Sequence, residues 1–318
     1  MEKNVLHYFV DTNSSRGFVS FWESNFGKLE KVVKLDGYPD LLVTQLVSQA
    51  CAQALGCEQE VELIHNCLDN SLQGIILPGQ KTGLLNLPAY GDESYSLRLA
   101  EDENLSKARE RVQRAYGCFG QALKIHDDWE RIFISSMDFE AMDELAEETA
   151  EKLFGGQKTD RAGSCADRFF GAATVNGSYD YIPNITQEIP KRYFLKGRPG
   201  TGKSTFLKML ARAAQDRGYR TEAYHCAFDP NSLDMIAVRE LGLCVFDSTA
   251  PHEYFPDRDS DEIIDIYKAA VQPGTDEKYE KESRATARAI RPRCGRPPAI
   301  WERRSWLTIN IRRAFWSL

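Results

Sequence analysis

No two of the eight cysteines are spaced as CxxC, no apolar run approaches the ~18 residues of a membrane span, and the opening MEKNVLHYFVDTN carries an early acid where a secretory leader has an apolar core. These absences argue against a zinc ribbon, a thioredoxin-type redox motif and a membrane helix. The expectation is a cytoplasmic protein with reduced thiols, several of them in the core. A strong positive field is missing too. The 40 basic residues are outnumbered by 47 acidic ones, giving a net charge of -7 and a pI near 5.4, so neither nucleic acid nor an anionic membrane is expected as a partner of the whole chain. The 42% apolar and 27% charged composition is that of a folded protein, and 318 residues are enough for two domains.

The chain does contain an internal repeat. Lys31, Leu35, Gly37 and Pro39 align with Lys191, Leu195, Gly197 and Pro199. At the same offset His65 and Asp69 align with His225 and Asp229; after a one-residue gap Asn70, Ser71, Leu72 and Ile75 align with Asn231, Ser232, Leu233 and Ile236. HYFVDTNSSRGF from His7 is echoed by RFFGAATVNGS from Arg168. One module is duplicated.

In the second copy KRYFLKG reads as a strand, and Phe206, Leu207, Leu210, Ala213 and Ala214 recur at helical spacing in a segment that ends at Gly218. TEAYHC reads as a second strand, DPNSLDMI as a turn opening a short helix, and LGLCVFD as a buried strand ending on Asp247. Strands alternating with helices imply a parallel sheet. In the first copy Leu46, Val47, Ala50, Cys51 and Ala54 mark the matching helix. Between the copies, Leu105, Ala108, Val112, Ala115, Phe119 and Leu123 start a long amphipathic helix that reaches about Ile134, and an acidic helix follows from about Asp138 to Leu153. This pair is expected to pack on a core; a surface for a protein partner is the alternative. The polar, glycine-rich stretch from Gly155 is the linker.

GRPGTGKS, Gly197 to Ser204, satisfies GxxxxGK[ST] between a strand and a helix. In that context backbone N–H groups of Gly197, Arg198, Gly200, Thr201, Gly202, Lys203, Ser204 and Thr205, around the turn at Pro199, would cradle phosphates at a positive helix end. The glycines would allow positive φ, Lys203 would reach the β- and γ-phosphates, and the Ser204 hydroxyl would ligate Mg2+. Asp247, closing an apolar run, is the second candidate metal ligand. No glutamate adjoins it, which points to slow turnover, with Glu253 as a candidate acid. Asp229 could meet a substrate hydroxyl or a metal-bound water, or simply cap a turn with Asn231 and Ser232. His225 reads as structural; with Cys226 and His252 it lacks metal-ligand spacing. The matching loop of the first copy, GYPDLLVT, has Asp40, Leu42 and Val43 where the second has Gly200, Gly202 and Lys203, so ordinary nucleotide binding is not expected there.

KRYFLKGRPGTGKSTFLKMLARAA, YHCAFDPNSLDM and VFDSTAPHEYFPDR resemble the second half of a family of duplicated P-loop ATP-binding proteins found mainly in spore-forming bacteria and largely uncharacterised. The similarity spans roughly residues 3 to 283 and includes KIHDDWERIFI between the halves. It implies an α/β fold of tandem P-loop nucleoside triphosphate hydrolase-like modules with parallel sheets, and ATP as ligand. In that family the first copy often keeps an intact loop; Asp40, Leu42 and Val43 depart from this. The expected organisation is a degenerate module with its helical pair over 1–155, an intact module over 163–283, and an atypical tail over 284–318. That tail holds nine arginines, no lysine, Glu302 as its one acid and three of the five tryptophans, against 31 basic and 46 acidic residues before it. Pro292, Pro297 and Pro298 interrupt any long helix there, and a frameshifted terminus is expected in preference to an arginine-tryptophan binding segment. The functional expectation is Mg-ATP binding with slow ATPase or small-molecule kinase activity through Lys203, Asp247 and Asp229. A nucleotide-gated interaction protein is the alternative.

Overall fold

The computed structural model describes residues 4–35, 38–86, 103–156, 158–249 and 253–290. These fall into two compact units, one built from described residues up to 119 together with 167–187, the other from 120–166 and 188–290. The units therefore cut across the repeat: the opening of the second copy belongs to the first unit, and the end of the inter-copy helical segment to the second.

In the first unit the strands are β1 (Val5–Tyr8), β2 (Asp11–Ser14), β3 (Gly17–Ser20), β4 (Lys31–Lys34), β5 (Val61–His65), β6 (Leu72–Leu77) and β7 (Thr82–Leu85), with helices α1 (Trp22–Phe26) and α2 (Asp40–Gly56). One sheet has the order β1-β5-β6-β7-β4. Its outer pairs, β1 with β5 and β4 with β7, are parallel, whereas β5, β6 and β7 form an antiparallel meander. On one face α2 buries Val43, Val47, Cys51 and Ala54 against Val61, Leu63 and Ile75, the stripe its 3.6-residue period dictates.

Two helices and a strand follow: α3 (Glu103–Ile134), α4 (Phe139–Phe154) and β8 (Ser164–Phe169). Val112, Ala115, Phe119 and Phe133 of α3 are buried. Asp138 caps α4, its carboxylate accepting from the Ala141 N–H at 3.0 Å, and Gly155 ends it at φ 57°. Both helices occupy the spans their apolar spacing predicts. The second copy continues as β9 (Gly171–Thr174), β10 (Gly177–Asp180), α5 (Ile182–Ile185), β11 (Lys191–Lys196), α6 (Lys203–Asp216), β12 (Arg220–His225), β13 (Leu233–Val238), β14 (Leu243–Asp247), β15 (Glu262–Asp265), α7 (Ile266–Ala270), α8 (Thr275–Lys278) and α9 (Glu280–Ile290). The sheet of the second unit has the order β8-β12-β13-β14-β11-β15. The core of that unit joins Met142, Ala146, Ala150 and Phe154 of α4 to Phe206, Leu207, Leu210 and Ala214 of α6 and to Leu195, Ile236 and Val245 of the sheet. The apolar face of α4 is thus spent on packing.

The expectation of parallel sheets is corrected by these pairings: β11 is parallel to β14 and β15, but β12, β13 and β14 run antiparallel, so the α/β sheets are mixed. The error lies in one segment. After the DPNS turn, Leu233–Val238 is a strand and not a short helix, with Met235, Ile236, Ala237 and Val238 all fully buried between two neighbours. A short, fully buried apolar run has no period with which to tell strand from helix.

The repeat is written in the backbone. Both sheets share the order of five strands, and both break register at the same point, between Ile64 and His65 and between Tyr224 and His225. Matching left-handed residues, Glu58 with Gly218 and Lys81 with Gly242, end equivalent turns. In the opening hairpins Ser14 Oγ donates to Gly17 O and Thr174 Oγ1 to Gly177 O, both at 2.7 Å. This corrects the alignment of His7 with Arg168 by one residue. The two hairpins, β2–β3 and β9–β10, lie together in the first unit, where Phe9 and Phe169 exchange N–H···O bonds of 2.9 Å.

Helix α9 is described as far as Ile290, and the rest of the Arg284–Leu318 tail lies outside the described residues. Among the described residues no helix is long and apolar enough to cross a membrane.

One buried polar cluster in the first unit generates a prediction. Asp11 is fully buried, and its Oδ2 accepts from Gln73 Nε2 at 2.9 Å, while Asp11 Oδ1 and Gln73 Oε1 have no partner among the described residues. Both orphans are acceptors, so a proton on Asp11 supplies the missing donor. Burial pushes this carboxyl up to about 6, against hydrogen bonds from Cys67 and Gln73 that lower it. Between the ordinary value of 3.8 and about 6 the unfolded chain binds fewer protons than the folded one, so stability falls as pH rises through that window. Asp11→Asn keeps the amide-type pairing and removes the charge. Urea denaturation should show it stabilised by about 2–3 kcal/mol at pH 7.5 and unchanged near pH 3.5.

Candidate functional site

Strand β11 is flanked on both sides by parallel strands, which brings the carboxyl ends of β11, β14 and β15 to one edge of the sheet. Ligands of open α/β sheets bind at such an edge. The loop leaving β11 is Gly197–Gly202, and α6 begins at Lys203. Gly200 and Gly202 adopt φ of 78° and 77°, conformations that other residues rarely adopt. Gly197 needs space instead of a positive φ: a Cβ there would meet Thr201 Oγ1 at 2.5 Å. Thr201 is fully buried and donates to Arg198 O at 2.8 Å, closing the turn around Pro199. The backbone N–H groups of Gly200, Gly202, Lys203 and Ser204 have no partner among the described residues. Those of Gly202, Lys203 and Ser204 are the orphan donors of a helix start, at its positive end, and that of Gly200 belongs to the turn before it.

The side chains converge on the same edge. Lys203 Nζ donates to Arg198 O at 2.9 Å and lies 3.6 Å from Oδ2 of Asp247, the last residue of β14. Asp247 Oδ1 accepts from Thr249 N–H at 3.0 Å and from its hydroxyl at 2.6 Å, which fixes the carboxylate's rotation. Ser204 Oγ accepts from Leu233 N–H at 2.8 Å and keeps a lone pair and a proton for another group. Thr205 follows in the first turn of α6. Arg198 is turned away from the loop's mouth, pairing with Asp276 at 2.8 Å and lying over the Tyr267 ring.

Asp229 serves the turn between β12 and β13: its Oδ1 accepts from Asn231 N–H at 3.3 Å and its carbonyl from Ser232 N–H at 2.8 Å. Asp69 binds the Ser71 N–H and hydroxyl in the same way. His225 Nδ1 lies 2.8 Å from Pro230 O, as His65 Nδ1 lies 3.1 Å from Asn70 O, so both histidines brace the repeated turn. Burial raises the Cys226 thiol well above its usual range. Glu253 is exposed, and its charge acts on Lys196, whose ammonium is held by Ser248 and Tyr254. His252 lies outside the described residues.

Sequence reasoning missed what backs the loop. A Cβ on Gly200 would fall 2.3 Å from Glu130 O, and one on Gly202 would fall 3.0 Å from the methyl of Met142. The end of α3 and the start of α4 are therefore pressed against the loop. Burial pushes the Glu130 carboxyl up; His126 and Lys203 lower it, and Asp127 and Asp229 raise it. The spacing of His126 and Glu130 on one helix face was the available signal.

Among the described residues the first copy has no such loop. Helix α2 starts at Asp40, the position of Gly200, so the residues that match the end of the Gly197–Gly202 loop are already helical. Val43, the counterpart of Lys203, is buried in the core of α2, while Tyr38 and Leu41 are exposed. Thr44 nonetheless contacts the same strand position, donating to Leu72 O where Ser204 accepts from Leu233 N–H.

No family model matches the sequence, and no curated protein or solved structure matches it either.

Gly200→Ala combines a left-handed φ with a backbone clash and should lower unfolding stability by about 2 kcal/mol or more in urea titrations. Restoring the lysine of the motif in the first copy should create no site: Val43→Lys buries an ammonium and should cost about 3 kcal/mol or more in the same assay, without gain of phosphate binding.

Proposed function

We propose that the second copy binds Mg-ATP through the Gly197–Thr205 loop, and that the chain is a duplicated P-loop protein of the kind its motifs resemble. The carrying observation is the convergence at one sheet edge of four unpartnered N–H groups, the Lys203 ammonium and the Asp247 carboxylate. The residues suit the ligand. The N–H groups and helix end would take the β-phosphate, and Lys203 would release Arg198 O to reach the β- and γ-oxygens. Ser204 and Asp247 would hold Mg2+, Ser204 with its remaining lone pair and Asp247 through water. Magnesium bound there would neutralise phosphate charge. Asp247, rotationally fixed by Thr249, would keep the metal-side geometry, and Lys203, relieved of its pairing with Asp247, would clamp the phosphates.

Two activities are consistent with this binding. A slow ATPase or small-molecule kinase follows from the lysine and the metal ligands. A nucleotide-gated interaction protein is favoured by the seat of Glu130 on Gly200, because any change in the loop on binding is felt by α3.

Calorimetric titration of Mg-ATP into the full chain should give a Kd in the micromolar range that Lys203→Ala abolishes. No binding by a demonstrably folded chain would overturn the reading. Phosphate release or transfer lost in the same variant selects the enzyme, and binding without turnover selects the switch.

A further inference from the structure

We propose that His126, Asp127 and Glu130 of α3 form a binding site for a divalent transition-metal cation of the Mn2+ type. The inference does not rest on nucleotide binding.

The ligand atoms of the three side chains lie within 4.8 Å of one another. His126 Nδ1 and Glu130 Oε1 are 3.6 Å apart, close to the roughly 3–3.5 Å that neighbouring ligands keep when each is about 2.1 Å from a metal. A small contraction of half-buried side chains closes the set. Their helical spacing puts His126 and Glu130 one turn apart on the same face, with Asp127 beside them.

Two features set this cluster apart from an ordinary surface ion pair. First, it is held from behind: the backbone of Glu130 abuts Gly200, which has no side chain to yield, so this turn of α3 is fixed against the loop. Second, its charge is unbalanced. Asp127 and Asp229 both act on Glu130 with the same sign, and the one lysine among the groups acting on it, Lys203, is shared with Asp247. A divalent cation would relieve that repulsion. One imidazole nitrogen with two carboxylates is a ligand set for Mn2+, Fe2+ or Zn2+, whereas Mg2+ prefers oxygen donors alone. Three protein ligands leave coordination positions open to water or to an anionic ligand on the loop side.

The test is titration of Mn2+ alone into the full chain without nucleotide, following the electron paramagnetic resonance signal of free Mn2+. One equivalent should bind, and His126→Ala and Glu130→Gln should each weaken binding at least tenfold. Asp127→Asn gives the same reading if either variant misfolds by circular dichroism. Lys203→Ala should still bind Mn2+, so loss of ATP binding in that variant leaves this site standing. Absence of Mn2+ binding by the folded wild-type chain, or equal affinity in the ligand variants, would reduce the cluster to an i, i+4 ion pair and overturn the proposal.

Discussion

The missing side chain at Gly200 is the constraint on which the second unit's site depends. Because nothing projects from that residue, the backbone of Glu130 comes within van der Waals range and the loop turns with φ near 78°. The turn delays the start of α6 to Lys203, leaving the first N–H groups of the helix without partners and aligned with its dipole. At the equivalent position in the first copy Asp40 is itself helical, so the residues matching the end of the loop are drawn into α2. Strand order, register break and the contact between helix and strand survive; the donors do not. Partial burial, reinforced by Asp69, raises the Asp40 carboxyl above its ordinary value.

Much of this was legible from residue order. The repeat, the two inter-copy helices, the strand into the loop and the strand ending on Asp247 all follow from periodicity and from glycine positions. The antiparallel meander was not. Met235–Val238 is an unbroken apolar run because both of its faces and both of its edges are covered, and such a run carries no alternation to read. Strand β15 escaped for the opposite reason. Glu262 and Asp265 frame two isoleucines in a stretch dominated by charge, and the strand is held at the edge by Lys152 and Lys191 gripping Glu262.

The candidate site divides similarly. The loop, Lys203, Ser204 and Asp247 share one motif grammar and could be found by spacing. His126 and Glu130 show only a one-turn spacing on a helix, and that Glu130 backs the loop follows from its packing on Gly200, which spacing does not give. A helix expected only to pack on a core also backs the loop, through Glu130. Asp229 and His225 show the reverse. Their location at the sheet edge invites a functional role, yet their hydrogen bonds are spent on a turn that both copies share.

The exchange of hydrogen bonds between Phe9 and Phe169 has a consequence for synthesis. The first unit draws its strands from the start of the chain but completes its fold with residues 167–187, so the ribosome must finish the entire first copy and both connecting helices before that unit can close. At typical elongation rates this is a wait of roughly ten seconds or more, during which Phe9, Asn25 and their neighbours lack the surface that later covers them. A protein whose repeats arose by copying one module has thereby become indivisible. Severing the chain between the copies would not yield two modules, because each compact unit keeps part of its material on the other side of the cut.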